Sequence, residues 1–274
     1  MSEIEVLVFM LGIYFFFAYF IKWFRPFYSV WPNNRLNFAT WYFFLLPVIV
    51  FIIFFITVKF LASFDVVDSF IFKLFYIILG YPWIHFSLML FSLLLDLSWK
   101  DDIINLNNKA SLYAISGAYL ATSLIYAGAN VGDGPGFWCV FASCGTGLFL
   151  FILITYIIQK ITGVIDEITI GRDKNAGIRM GLYFIASGII LGRAAAGDWI
   201  SFEQTILDFW VAWPLIVISI IVIFVELYYK NKEYQDDIEI TSVLIGLFYI
   251  VLVIVVLFAL PNLPENPIYE LLWS

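Results

Sequence analysis

The fold class this sequence predicts is all-α: a polytopic transmembrane helical bundle of about eight spans, with two parallel two-helix repeats. Three observations predict it. The chain is 63% hydrophobic and only 13% charged over 274 residues, more apolar surface than a water-soluble fold of that size can hide. Eight apolar runs reach the roughly 20 residues that a helix needs to cross a bilayer. The lysines and arginines fall almost entirely on one side of the resulting topology.

The runs cover 5–24, 41–62, 69–95, 110–130, 137–160, 176–196, 203–228 and 240–260. The first follows Met1-Ser2-Glu3-Ile4-Glu5, acid where a cleaved signal carries base, so it is expected to stay as an anchor. The third holds Pro82 in its middle, which predicts a kink or tilt. The seventh carries Glu203, Asp208 and Trp213-Pro214 and leaves room for a short interfacial helix at its start. Four parts follow: three N-terminal transmembrane helices (1–95), a first two-helix unit (96–160), a second (161–228), and a closing helix with its tail (229–274).

With the N-terminus placed outside, the inner loops hold Lys22, Arg25, Arg35, Lys100, Lys109, Lys160, Arg172, Lys174, Arg179, Lys230 and Lys232. The other side holds only Lys59, Lys73 and Arg193. This eleven-to-three bias predicts a multi-pass protein of the inner (plasma) membrane with both termini outside the cytoplasm. Trp23, Trp31, Trp41, Trp99, Trp138, Trp199 and Trp273 flank the runs, as rings at headgroup level do.

Residues 101–133 set against 166–198 give eight identities in 33 positions without a gap, where so biased a composition gives roughly two or three by chance. The pairs include Asp101/Asp166, Ile103/Ile168, Lys109/Lys174, Gly132/Gly197 and Asp133/Asp198. Each unit reads as an acidic pair, a spanning helix, a Gly-Asp turn and a second spanning helix. Two crossings per unit make the repeats parallel rather than inverted. The acidic opening recurs at Asp236-Asp237-Ile238. Acid ahead of outward-running helices and base behind inward-running ones both oppose the helix dipole, at about 0.3–1 kcal/mol each.

The stretch Asp166-Glu167-Ile168-Thr169-Ile170-Gly171-Arg172-Asp173-Lys174-Asn175-Ala176-Gly177, running on to Ala194-Ala195-Ala196-Gly197-Asp198, resembles a bacterial inner-membrane domain family of unknown function. That family is built from tandem two-helix units, each opened by an acidic-Ile and Asn-Ala signature and turned by a Gly-Asp. The resemblance spans about 101–228. The first unit departs from the pattern, because Asn107-Asn108-Lys109-Ala110 is shifted against Lys174-Asn175-Ala176. The resemblance implies a membrane fold and brings no chemistry with it.

Several functions are excluded by composition. A charge of −7, from 14 basic and 21 acidic residues, argues against nucleic acid as a partner. The single histidine, His85, leaves no Ser-His-Asp triad and no histidine-rich metal site. Cys139 and Cys144 lie five apart in an apolar run and are expected to be buried small hydrophobes. An intramembrane aspartyl protease needs two carboxylates about 3 Å apart, whereas Asp96 and Asp133 are assigned to opposite sides. No enzyme, catalytic residue, metal or cofactor is expected.

The candidate sites are small. Asn130, Gly132 and Asp133, with Arg193, Gly197 and Asp198, form two small-residue turns on the outer side. The structural reading has Asp133 and Asp198 capping the helices that follow; the functional reading makes the turns a pore vestibule. Arg193 is expected to pair with one of those carboxylates. His85 is expected to bond a carbonyl freed by Pro82, with a proton relay as the sharper alternative. Glu226 and Asp208 are expected to meet solvent. Gly188, Gly192 and Ala196 recur every four residues as a helix-packing face, within one chain or between copies. The expected function is an oligomeric channel or pore subunit in contact with membrane lipid. The alternatives are a structural subunit binding partner membrane proteins or lipids, and a membrane effector of a bacterial stress or defence system.

Overall fold

The structure, a computed structural model, describes residues 1–29, 38–230 and 238–260. Trp31, Arg35, Lys232, Asp236, Asp237 and Trp273 lie outside the described residues. The helices are α1 (Glu3–Ser29), α2 (Phe38–Phe60), the short α3 (Phe64–Asp68), α4 (Phe70–Leu95), α5 (Lys109–Ala129), α6 (Phe137–Thr162), the short α7 (Val164–Thr169), α8 (Lys174–Ala195), α9 (Phe202–Asp208), α10 (Trp213–Tyr229) and α11 (Ile240–Ala259). A π-helical turn, Trp99–Asn105, precedes α5, and a 3₁₀ turn, Phe209–Ala212, joins α9 to α10. Eight of these segments, with α9 and α10 counted as one, are long and apolar enough to cross a membrane. The chain is a multi-pass integral membrane protein.

Local chemistry sets the helix starts. At α5 the Asn108 side chain accepts from the backbone N–H groups of Ala110 (2.9 Å) and Ser111 (3.3 Å). At α8 the Asp173 side chain accepts from Asn175 N–H (2.8 Å). Just before each cap, Asn107 (φ 50°) and Arg172 (φ 58°) turn into the left-handed region, 65 residues apart. The acidic pairs sit elsewhere than expected. Asp101 and Asp102 open the π-helical turn, while Asp166 and Glu167 open α7. The dipole argument therefore applies to those short segments, and Asn108 and Asp173 cap the long helices.

The spans form two rows. In the first, α2 packs on α5, α5 on α8, and α8 on α11. In the second, α1 packs on α4, α4 on α6, and α6 on α10. The α5–α8 contact is the closest. A Cβ on Gly117 would collide with the Gly181 carbonyl, one on Gly128 with that of Gly192, and one on Gly177 with Ala110. Only glycine lets two helix backbones approach this far, and dispersion between backbones then replaces the missing solvophobic drive in lipid. The next step of the row repeats the geometry. Gly246 of α11 meets Leu182 of α8, positions 65 beyond Gly181 and Gly117.

The first row has one end where its turns are stitched together, called here the turn end. Ala62 forms a parallel bridge with Gly132. Gly197 N–H donates to Val131 O (2.9 Å) and Trp199 N–H to Asp133 O (2.7 Å). The opposite end, where Asn108 and Asp173 lie, is the cap end. There Asn108 Nδ2 donates to Ile168 O (2.8 Å), and Glu239 N–H donates to Asn175 Oδ1 (2.8 Å). Several serine and threonine hydroxyls inside the bundle bond within their own helices: Ser116 to Leu112 O, Thr122 to Ala118 O, Ser187 to Tyr183 O. That pairs these three donors, which hydrocarbon tolerates poorly alone; the Ser111 and Tyr249 hydroxyls and the Trp23 and Trp83 indole N–H groups are buried without a partner.

Not every flanking tryptophan sits at the surface. Trp23 is fully buried where α1 meets α2 and α5. Its ring lies 4.7 Å from Phe43, 5.0 Å from Trp99 and 5.2 Å from Tyr119. Trp41 remains half exposed.

Candidate functional sites at the ends and flanks of the bundle

The strongest polar constellation is at the cap end. Arg179 Nε donates to Glu226 Oε1 (2.8 Å) and Nη2 to Oε2 (2.6 Å), while Nη1 donates to Ser242 Oγ (3.0 Å). The guanidinium carbon lies 4.3 Å from the Tyr229 ring centre. Both charged side chains are only 1% exposed. Arg179 stands near the start of α8, Glu226 near the end of α10 and Ser242 near the start of α11, so one fork joins three helices. The expectation that Glu226 meets solvent is corrected: the meeting of the two rows encloses it. Bidentate geometry spends both carboxylate oxygens and most guanidinium donors. Such a pair loses little by burial, whereas either partner alone is costly.

Charges gather around this fork outside the spans. Burial raises the Glu167 carboxyl above its ordinary range; Glu226 and Asp173 add to the rise, and Lys230 and Arg179 oppose it. Lys230 Nζ donates to Thr162 O (2.7 Å), tying the end of α10 to the end of α6. Burial likewise raises Asp102, and the Ser98 N–H bond to its carboxylate (2.8 Å) opposes that rise.

At the turn end, Asp133 and Asp198 come together. The capping roles expected of them are corrected. Gly136 (φ 142°) precedes α6 without a side-chain cap, and Ser201 caps α9 through Gln204 N–H. Instead Asp198 Oδ1 accepts from Asp133 N–H (2.7 Å), bridging the two turns. Asn130 Nδ2 donates back to Tyr126 O (2.7 Å). Asn130 and Asp133, with Ser63, Tyr76 and Ser143, line a polar recess of about 30 Å³, the room of one water molecule. Arg193 is half-buried near the end of α8 and is engaged within the chain.

The remaining sequence-derived residues lie apart from these clusters. His85 sits mid-α4, its ring 5.6 Å from that of Tyr19. Its Nδ1 is buried without a hydrogen-bond partner, which corrects the expected bond to a carbonyl freed by Pro82. Near Pro82, the Tyr81 hydroxyl donates to Pro47 O of α2 at 2.9 Å. Tyr19 and Tyr119 share a buried hydroxyl–hydroxyl bond of 2.7 Å. Gly188 lies against Ala121 and Gly192 against Leu124, both on α5; Ala196 is half-buried just past α8. Cys139 and Cys144 are buried and free. Among the described residues no group of three or more His, Cys, Asp or Glu is placed to hold a metal.

The second row is open where the first is closed. A groove of about 690 Å³ lies between α6 and the α9–α10 segment, lined by Phe141, Gly145, Phe149, Phe209, Trp210 and Trp213 among others. A second, of about 510 Å³, lies between α4 and α6, lined by Trp83, Phe86, Leu90 and Tyr156 among others. Gly145 and Phe149 belong to both, so the two grooves flank one helix. No sequence signal marks them, because they arise from the spacing between helices that are each uniformly apolar.

The model of one protein family, described as a domain of unknown function (DUF350), matches residues 134–261. The chain is similar to that family from α6 to the end of α11. Compared with the sequence-level resemblance, the match leaves out α5 and takes in the last helix. It includes Arg179, Glu226 and Ser242. A search of curated proteins and a search of solved structures each found no match.

Proposed function

We propose that this integral membrane protein is a structural subunit that binds lipids or partner membrane proteins along its sides. The observation that carries this reading is the pair of open apolar grooves flanking α6, beside a centre closed by the α5–α8 backbone contact. A conduit through one chain would have to part those glycine contacts. The buried charges that a conduit would use are spent on each other in the Arg179–Glu226 fork. In this reading the cap end faces the cytoplasm, in keeping with the eleven-to-three distribution of cations.

One observation favours the competing reading, an oligomeric channel or pore. The polar recess at Asn130 and Asp133 would line a path formed between copies. Reconstitution separates the two. Liposomes carrying the purified protein should show no ion flux under any salt, and the protein should retain lipid or a membrane partner through purification. A conductance carried by the pure protein and lost in Asp133→Asn would replace the structural reading with the pore.

A further inference from the structure

We propose that the polar recess at the turn end binds one alkali-metal cation, held by hydroxyl and amide oxygens of three helices and by the Asp133 carboxylate. The site stands whether the protein is a structural subunit or a pore.

The recess is walled by buried side chains whose polar atoms the chain itself leaves unused. Tyr76 of α4, Asn130 at the end of α5 and Ser143 of α6 all line it and are 7%, 6% and 8% exposed. Among the described residues neither the Tyr76 nor the Ser143 hydroxyl makes a hydrogen bond. Ser116 and Ser187, by contrast, give theirs to carbonyls of their own helices. Asn130 spends its Nδ2 on Tyr126 O, which leaves Oδ1, an acceptor. The Tyr76 hydroxyl is within electrostatic reach of Cys139, another wall residue, and of Asp65 and Glu5. Ser63, also in the wall, donates to Asp65 Oδ1 (2.5 Å) and keeps its lone pairs.

Charge and donor type select the occupant. Asp133 belongs to the wall, and Asp198 sits against its N–H (2.7 Å). Glu5 Oε1 is 3.8 Å from where a Cβ on the wall residue Gly136 would stand. None of the lining residues is basic. Three backbone donors that could meet an anion are already given away: Asp133 N–H to Asp198, Gly197 N–H to Val131 O and Trp199 N–H to Asp133 O. Open oxygens in a negative field call for a cation, and neutral oxygens are what proteins use to hold sodium and potassium. A transition metal asks for several thiolates or imidazoles. The wall has Cys139 alone and no histidine, and among the described residues no trio of His, Cys, Asp or Glu gathers. Calcium takes about six to eight oxygens, with several carboxylates among them. The wall supplies one carboxylate, which balances a single charge. The bound ion ties α4 and α6 of the second row to the end of α5 in the first, at the end opposite the Arg179 fork.

The test reads the melting temperature of the purified full chain in detergent, in sodium, potassium or choline chloride at equal concentration. At least one alkali salt should raise it over choline along a saturating curve. The rise should reach about 5 °C once the ion stands about a hundred-fold above its dissociation constant. Tyr76→Phe and Ser143→Ala remove hydroxyls that bond nothing in the chain, so both should melt in choline as the unaltered protein does and lose most of the alkali shift. Asp133→Asn should move the half-saturating concentration upward. Sodium-23 line broadening by the protein, reduced in the same variants, reads occupancy independently of stability. Equal melting in all three salts, or an alkali shift that both hydroxyl variants keep in full, would overturn the site and leave the recess to water only. Stabilisation by calcium with none from sodium or potassium would overturn the choice of a monovalent ion. Ion flux in liposomes, read separately, would sink the structural reading without altering any of these outcomes.

Discussion

The two rows of helices are built from similar amounts of apolar residue and behave differently. In the first row, α5 and α8 meet backbone to backbone through Gly117, Gly128, Gly177 and Gly192. In the second, α4, α6 and α10 meet through rings and branched side chains, and gaps of about 510 and 690 Å³ remain between them. Lipid tails are as apolar as leucine, so hydrophobicity alone does not draw helices together inside a bilayer. Shape does. Where small residues recur at helical spacing the row closes, and where bulky ones stand it stays open to the surrounding lipid. The contrast leaves one row closed by backbone contact and the other with open apolar grooves.

The largest expected effect tests the tie between the rows. Glu226→Ala leaves Arg179 buried without its counter-charge and should cost about 3–5 kcal/mol, read by unfolding in mixed detergent micelles. The double variant Arg179→Met, Glu226→Leu should recover most of that loss. If the double variant is as unstable as the single one, the fork is not what joins α8 to α10. Next comes the contrast itself. Gly117→Leu should cost about 1–3 kcal/mol by overpacking, whereas Gly145→Leu, on the floor of the grooves, should leave the melting temperature almost unchanged. Equal losses would erase the distinction between rows. A smaller effect lies in the seam of α1 and α5, where Tyr19→Phe removes one buried hydroxyl bond and should cost about 1 kcal/mol.

The smallest effect is a pH dependence. Burial, aided by Glu226 and Asp173, raises Glu167 in the folded protein. The unfolded chain then gives up this proton first as pH rises. Stability from the protonated form is complete below the ordinary carboxylate range and is lost as pH climbs through the raised value. Melting temperature in detergent should therefore fall over that interval, and Glu167→Gln should flatten the fall. An unchanged slope in the variant would place the responsible carboxyl elsewhere.

Much of this fold is legible in the residues, because crossing a bilayer is a matter of length and polarity. The eight spans coincide with the apolar runs to within a few residues, and the seventh opens with a short helix at Phe202–Asp208, where Glu203 and Asp208 interrupt the run. What escapes is whatever depends on distance along the chain. Arg179 and Glu226 are separated by 47 residues, and each falls close enough to a span end to read as a solvated flank. A cation and an anion one turn inside neighbouring apolar windows were the available signal. The capping roles of Asp133 and Asp198 failed for a related reason. Gly132 and Gly197, both at positive φ, let the two turns lie side by side, so the Asp198 carboxylate finds the other turn's amide before its own helix. The grooves are written in no residue at all.

The Arg179 fork also imposes an order on biosynthesis. The guanidinium emerges from the ribosome 47 residues ahead of the carboxylate that neutralises it, and Ser242 follows later still. During that interval α8 reaches the insertion machinery with a naked cation, for which bare hydrocarbon is a poor destination. An α8 released into lipid before α10 arrives would carry that cation without its counter-charge.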